Sequence, residues 1–300
     1  MSEQTIEHLQ SEAIGLLKDL IATPSFSKEE NDTAEIISAF FEKHGIPYSR
    51  VGNNIYARNK NYQTSRQSIL LNSHHDTVKP NRHYSMDPFT PTVKDGKLFG
   101  LGSNDAGGCL VSLIAVFLHY YHSDDLKHNV VFAASAEEEI SGVNGIELVL
   151  PYLGQIDFGI VGEPTKLEMA VAERGLMVID CTASGIPGHA ARNEGENALY
   201  KAIEDIDWIR NYRFEKKSDL LGETRMSVTV IDTENKQHNV VPAQCKFVID
   251  VRVNELYSFE EILDALKLNM KSHFKPRTTR MKSTSIPLNH PLVKAGIALG

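Results

Sequence analysis

Four short clusters in this 300-residue chain combine residue types that can bind a cation or move a proton. The first is Ser73-His74-His75-Asp76, which follows an apolar run. On a strand, residues i and i+2 share a side, so His74 and Asp76 can meet while His75 turns away. A carboxylate beside a ligating imidazole fixes its tautomer and raises its basicity, although a merely polar strand end has the same sequence. The second cluster is Gly100-Leu101-Gly102-Ser103-Asn104-Asp105-Ala106-Gly107-Gly108. Its glycines let the backbone turn sharply around Asp105, which either points into a cleft or caps the helix that follows. The third is Glu137-Glu138-Glu139, directly after VVFAAS. Three adjacent carboxylates repel one another and are costly in a crevice without compensating cations; a solvated charge run is the plain alternative. The fourth is Gly162-Glu163-Pro164-Thr165. There Pro164 restricts Glu163, which suits a fixed ligand or a simple loop start.

The elements that must position these clusters follow from apolar spacing. Ile6, Leu9, Ala13, Leu16, Leu17, Leu20 and Ile21 recur at helical intervals, and Pro24 closes that helix. Ser27 with Glu30 reads as a capping box for a second helix carrying Ile36, Ile37, Phe40 and Phe41 and stopping at Gly45. Strands are expected at 68–72, 130–134 and 158–161, with a helix at 108–121. Alternating strands and helices imply an α/β fold with a mainly parallel sheet covered on both faces. After Glu163 the pattern changes to a β-rich run over 169–184, a helix over 198–212, strands at 226–231 and 246–253, and a helix over 259–274. That β-α-β-β-α order suggests a small inserted domain with an antiparallel sheet. The expected limits are 1–168 for the first part of a catalytic domain, 169–284 for the insertion, and 285–300 for the start of a return, opening a helix at HPLVKAGIALG.

Composition narrows the function classes. The chain is 41% hydrophobic and 23% charged with a net charge of −8. Phosphate binding needs a basic face, so a nucleic-acid partner is not expected. The acidity itself fits either solvated surface carboxylates or a carboxylate-rich metal centre. The first twenty residues lack a basic segment followed by an apolar run, and no apolar stretch reaches the ~18 residues a bilayer span needs. With Cys109, Cys181 and Cys245 far apart in apolar surroundings, the expectation is a cytoplasmic protein with reduced cysteines and no membrane partner.

The agreement between the clusters says more than any one of them. Three expected strands each finish in a carboxylate or a His/carboxylate group, and open α/β sheets place their ligands at those ends. One imidazole with several carboxylates suits a divalent ion such as zinc. A carboxylate excess with one aspartate placed to bridge suggests two.

The chain resembles the aminoacylase, acetylornithine deacetylase and succinyl-diaminopimelate desuccinylase group of dinuclear zinc peptidases, and acetylornithine deacetylase most closely. LLNSHHDTV, MDPFTPTVKDGKLFGLGSNDAGG, ASAEEE, GEPT, GIPGHAARNEGENA and HNVVPAQCKFVIDVR carry the resemblance, in order, from about Leu17 to Gly300. It implies a zinc-peptidase catalytic domain with an inserted α+β lid and dimerisation domain. It also implies two Zn2+ per subunit, with Co2+ as a substitute, and a homodimer formed through the insertion. By position, His74 and Glu163 would bind one zinc and Glu139 the other, with Asp105 bridging. Asp76 would orient His74, and Glu138 would be the general base. His189, otherwise a loop histidine, would reach the partner subunit's site to stabilise the tetrahedral intermediate. Arg174, Asn239 and Arg252 would hold the substrate carboxylate. The implied activity removes an N-acyl group from a small-molecule amino acid, N-acetylornithine first, with a place in arginine biosynthesis. An N-succinyl-amino-acid desuccinylase, a di- or tripeptidase and a carboxypeptidase are the alternatives on the same scaffold.

Leu101 stands where the family usually has Arg, Ala106-Gly107 where it has Met-Lys, and Glu137 where Asp is frequent. The resemblance also implies a last histidine ligand in the segment after the insertion. No residue up to Gly300 matches it, since His290 belongs to an ordinary helix start. The Glu139 side is therefore expected to have two protein ligands here.

Overall fold

The computed structural model describes residues 5–299, and the expected domain limits at 1 and 300 lie outside them. The chain divides into two compact units, Met1–Leu167 and Glu168–Gly300.

The first unit is built on a five-stranded sheet. Its strands are β1 (Tyr48–Val51), β2 (Asn54–Arg58), β3 (Ser68–His74), β4 (Asn129–Ser135) and β5 (Phe158–Val161), in the spatial order β1-β2-β4-β3-β5. β3 pairs in parallel with both β4 and β5, while β1 and β2 form an antiparallel edge. Alternation along the buried strands sends side chains to two cores. Leu71 and Phe132 face α1 (Ile6–Ala22), α2 (Asn31–Lys43) and α3 (Gly108–Tyr120), among Leu16, Ile37, Phe41 and Phe117. Leu70 and Val131 face α4 (Ile146–Leu153) through Val149 and Leu153. The mainly parallel core with helices on both faces is as expected. The antiparallel β1–β2 edge had no clear alternating apolar signal, since it is short and polar.

The second unit is α+β. β6 (Gly175–Ser184), β7 (Arg225–Asp232), β8 (Gln244–Val253) and β9 (His273–Pro276) form an antiparallel sheet in the order β7-β8-β6-β9. Alternate residues Met177, Ile179, Cys181, Phe247, Ile249 and Val251 pack against α5 (Ala198–Asn211) and α6 (Phe259–Asn269). The helix expected over 259–274 is a helix and a strand: α6 ends at its cap Met270, and Phe274 pairs with Cys181 on β6. Apolar residues at 266, 270 and 274 fit helical spacing, but Phe274 is recruited by the open edge of β6. The segment after 284 groups with this unit. Thr284 pairs with Glu173, Ile286 donates its N–H to Val171, and α7 (Pro291–Leu299) buries Val293.

No described helix is long and apolar enough to cross a membrane. The three cysteines are free, with Cys181 and Cys245 buried.

Candidate metal centre

The parallel register of β3, β4 and β5 brings their C-terminal ends together. His74 is the last residue of β3 and pairs with Ser135, the last of β4. Its side chain is only 1% exposed. Nδ1 donates to the Asp76 backbone carbonyl at 3.0 Å, closer than the Asp76 carboxylate at 3.4 Å. Nε2 is thereby turned to a carboxylate cluster, 3.1 Å from Asp105, 3.7 Å from Glu138 and 3.8 Å from Glu163. His75 alternates to the opposite side as expected. There Nδ1 lies 2.9 Å from the Thr33 hydroxyl and Nε2 donates to the Asn53 carbonyl at 2.9 Å.

After β4 the chain makes one tight turn, Glu138–Ile140, flanked by Glu137 at φ +53° and Ser141 at φ +51°. Side-chain-bearing residues hold that left-handed conformation only where their surroundings fix it. Here the Asp76 carboxylate, fully buried, accepts the Glu138 N–H at 3.0 Å and the Glu139 N–H at 3.2 Å. Glu137 is itself buried, and its carboxylate accepts the Asn144 amide at 2.9 Å. It therefore turns inward to support the turn, while Glu138 and Glu139 remain at the site.

Asp105 lies in a tight turn, Ser103–Gly107, that leads directly into α3. At Gly107 a Cβ would stand 2.6 Å from the Gly102 carbonyl and 2.7 Å from Leu17, so this departure from the usual family residue fits a close backbone approach. Glu163 follows β5 by two residues, and the Gly162 N–H donates to the Asn72 carbonyl at 2.7 Å, tying that end to β3.

The electrostatics of the cluster suit a bound cation. Burial raises the Glu163 carboxyl, and Glu138, Asp105 and Glu139 raise it further against the pull of His74, to about 7. Glu139 is raised as well, first by burial and then by Asp105. Burial pulls the His74 imidazole down, but Asp76, Glu138 and Glu163 outweigh it and push it up to about 9. Asp76 stays below the usual carboxylate range despite burial, because His74, Ser27 and the Glu138 N–H stabilise its charge. Two triads, His74–Glu138–Glu163 and His74–Asp105–Glu139, each offer ligand atoms within 4.8 Å of one another. An imidazole beside raised Glu139 and Glu163 fits a divalent cation, which would supply the compensating charge. Glu138, expected as the base, stands in the first triad beside the expected ligands.

The remaining expected residues belong to the second unit. His189 pairs with Val240, and Ala190 donates its N–H to the Asn239 carbonyl, so His189 and Asn239 are neighbours. His189 Nδ1 accepts the Ala191 N–H at 3.2 Å, which leaves Nε2 as its donor. Arg174 donates to the Leu221 carbonyl, and Arg252 pairs with Asp250 at 2.9 Å. His290 accepts the Leu292 N–H at 3.2 Å, at the start of α7.

Ser27 and Glu30 are functional neighbours that the sequence concealed. The expected capping box is absent: Glu30 itself is the cap of α2 with no side-chain capping bond, and Ser27 donates to Asp76 at 2.7 Å. The same S-x-x-E spacing does cap α6, where Ser258 and Glu261 close a reciprocal pair.

Residues 171–278 match the family described as the peptidase dimerisation domain, and residues 54–152 match peptidase family M28. The chain is 25% identical over 270 residues to succinyl-diaminopimelate desuccinylase 2 of Ruegeria sp. (strain TM1040), covering 84% of this chain and 67% of that protein. A metallo-carboxypeptidase of the M20 family from Sulfolobus solfataricus superposes with a TM-score of 0.72 at 18% identity, over 95% of this chain and 82% of the other. A dinuclear metal-binding peptidase of the M20 family from Bacillus subtilis superposes with a TM-score of 0.71 at 17% identity, over 98% and 81%. The two-unit fold is thus shared with structures of the M20 type.

Proposed function

We propose that this chain is a metallohydrolase of the M20/M28 type that cleaves the amide bond of N-acyl amino acids, with N-succinyl amino acids ahead of N-acetylornithine. One observation carries the reading: His74, Asp105, Glu138, Glu139 and Glu163 converge at the C-terminal ends of three parallel strands. The succinyl preference rests on the Ruegeria relative, a succinyl-diaminopimelate desuccinylase. The acetylornithine and arginine-biosynthesis expectations have no such support from the relatives described.

His74, Glu163, Glu139 and Asp105 are the side chains that would hold the divalent metal. Bound metal would supply Lewis acidity toward water and the amide carbonyl. Glu138 takes the proton from the attacking water and returns it to the leaving amine. Asp76 holds His74 in the tautomer that presents Nε2. His189, with Nε2 as donor, stabilises the oxyanion in the site of the partner subunit of a homodimer. Arg174, Asn239 and Arg252 take the substrate carboxylate, for which Arg252 releases Asp250.

Turnover of N-succinyl-diaminopimelate, N-succinylornithine, N-acetylornithine and simple dipeptides, read together with bound metal, tests the proposal. The highest kcat/KM is expected on the N-succinyl substrates. A dipeptide preference would overturn it in favour of a peptidase.

A further inference from the structure

The loop between α1 and α2 runs beside the end of β3. Thr77 donates its N–H to the Ser25 carbonyl at 2.8 Å, and Phe26 bridges to Thr77. From this anchored loop Ser27 donates its hydroxyl to Asp76 Oδ2 at 2.7 Å, the carboxylate that receives the Glu138 and Glu139 N–H groups. Glu30, fully buried, receives the Glu137 N–H at 3.2 Å and the Lys28 N–H at 2.6 Å on Oε1, and the Asn53 amide at 3.0 Å on Oε2. Three consecutive backbone N–H groups, those of Glu137, Glu138 and Glu139, therefore end on two buried carboxylates. One of these belongs to the 27–30 segment and the other is oriented by it.

We infer that Ser27 and Glu30 are positioning residues for the base-bearing turn: together with Asp76 they fix the backbone from which Glu138 reaches the substrate. Hydrogen bonds to charged carboxylates are stronger than neutral ones and directional, so three of them on consecutive N–H groups fix the turn's position. The turn needs this, because its left-handed flanks Glu137 and Ser141 do not favour their own conformation. A base displaced by a fraction of an ångström loses its line to the water, while His74, Asp105 and Glu163, which lie outside the turn, stay in place. The inference rests on the proposed role of Glu138.

The test compares the metal-loaded Ser27→Ala, Ser27→Thr and Glu30→Gln variants with Asn59→Ala. Asn59 receives the Val130 N–H near the opposite end of β4 and serves as a stability control. Kinetics, metal content and amide hydrogen exchange over 137–139 are read for each. Ser27→Ala and Glu30→Gln are expected to lower kcat about 10- to 100-fold with KM within about twofold, and to speed exchange at the turn about tenfold, with metal retained. Ser27→Thr keeps the hydroxyl and should restore both readouts. Asn59→Ala should lower Tm without moving kcat. Unchanged kcat and exchange in Ser27→Ala would overturn the inference, as would a loss no greater than that of an equally destabilised Asn59→Ala. Should Glu30→Gln fail to fold, Ser27→Ala decides alone, since it removes one hydroxyl. Ordinary activity in Glu138→Gln would instead sink the base assignment, while exchange at the turn would still report whether the two residues hold it.

Discussion

His74 Nε2 lies 3.8 Å from Glu163 Oε1, although 89 residues of chain separate the two, because β3 and β5 are parallel neighbours with Asn72 opposite Val161. The pair sits among carboxylates, and burial with the nearby Glu138, Asp105 and Glu139 pushes Glu163 up to about 7. A bound divalent ion relieves that repulsion, so stripping it should destabilise the fold. Chelation is expected to lower Tm by about 5–10 °C, as ligand linkage at ~100 times Kd is worth about 2.7 kcal/mol. Asp105→Asn should shrink the drop. An unchanged Tm in thermal melts with and without chelator would count against a metal centre here.

Glu138→Gln should reduce kcat by ~10²–10⁴-fold or more while metal content stays near wild type. Glu139→Gln should lose metal. Kinetics beside elemental analysis separate the two, and metal loss in Glu138→Gln would mean the roles are exchanged.

Gly142 donates its N–H to the Glu137 carbonyl at 2.8 Å, and a Cβ there would meet Glu137 Oε2 at 2.0 Å and Glu137 Cβ at 2.5 Å. Gly142→Ala must push Glu137 and the turn behind it. An activity loss of about tenfold or more at a Tm change of only a few degrees is expected, a split that parallel melts and assays would show.

His189 is proposed to act across a dimer. Mixing His189→Ala with Glu138→Gln chains and re-assorting the subunits should restore part of the activity, since one site per mixed dimer is complete. Re-assorted dimers as inactive as their parents would place His189 in its own chain's site or in none.

Burial lowers the His44 imidazole below its ordinary value of 6.5, despite Glu12 at 3.4 Å. The unfolded chain therefore binds the extra proton more readily, and stability is lost as pH falls through about 6.5. Denaturant unfolding between about pH 8 and pH 5 should show a steeper decline for the wild type than for His44→Gln. Equal slopes would remove His44 from the acid response.

Sequence and structure agree best where one local rule acts alone. The apolar run of β4 and the helical spacing of α1 each satisfy one period, and the carboxylates that follow β4 stand out against it. Ser27 and Glu30 obeyed a local rule that a distant partner overrode: Asp76 took the hydroxyl, and the turn at Glu137 took the carboxylate. β9 was hidden for a similar reason, because Phe274 reads as helical until the edge of β6 is available to pair with it. Arg174, Asn239 and Arg252, proposed to take the substrate carboxylate, carry no such signature in their spacing.

Glu30 and Glu137 lie 107 positions apart, and Ser27 and Asp76 lie 49 apart. During synthesis the loop that steadies the base leaves the ribosome long before the turn it steadies. A nascent or partly unfolded chain thus has its acidic side chains but not the aligned Glu138, which would confine the proposed hydrolysis to folded molecules. Turnover in this protein should therefore return later in refolding than compactness or helix content, because it waits on contacts between residues far apart in the chain.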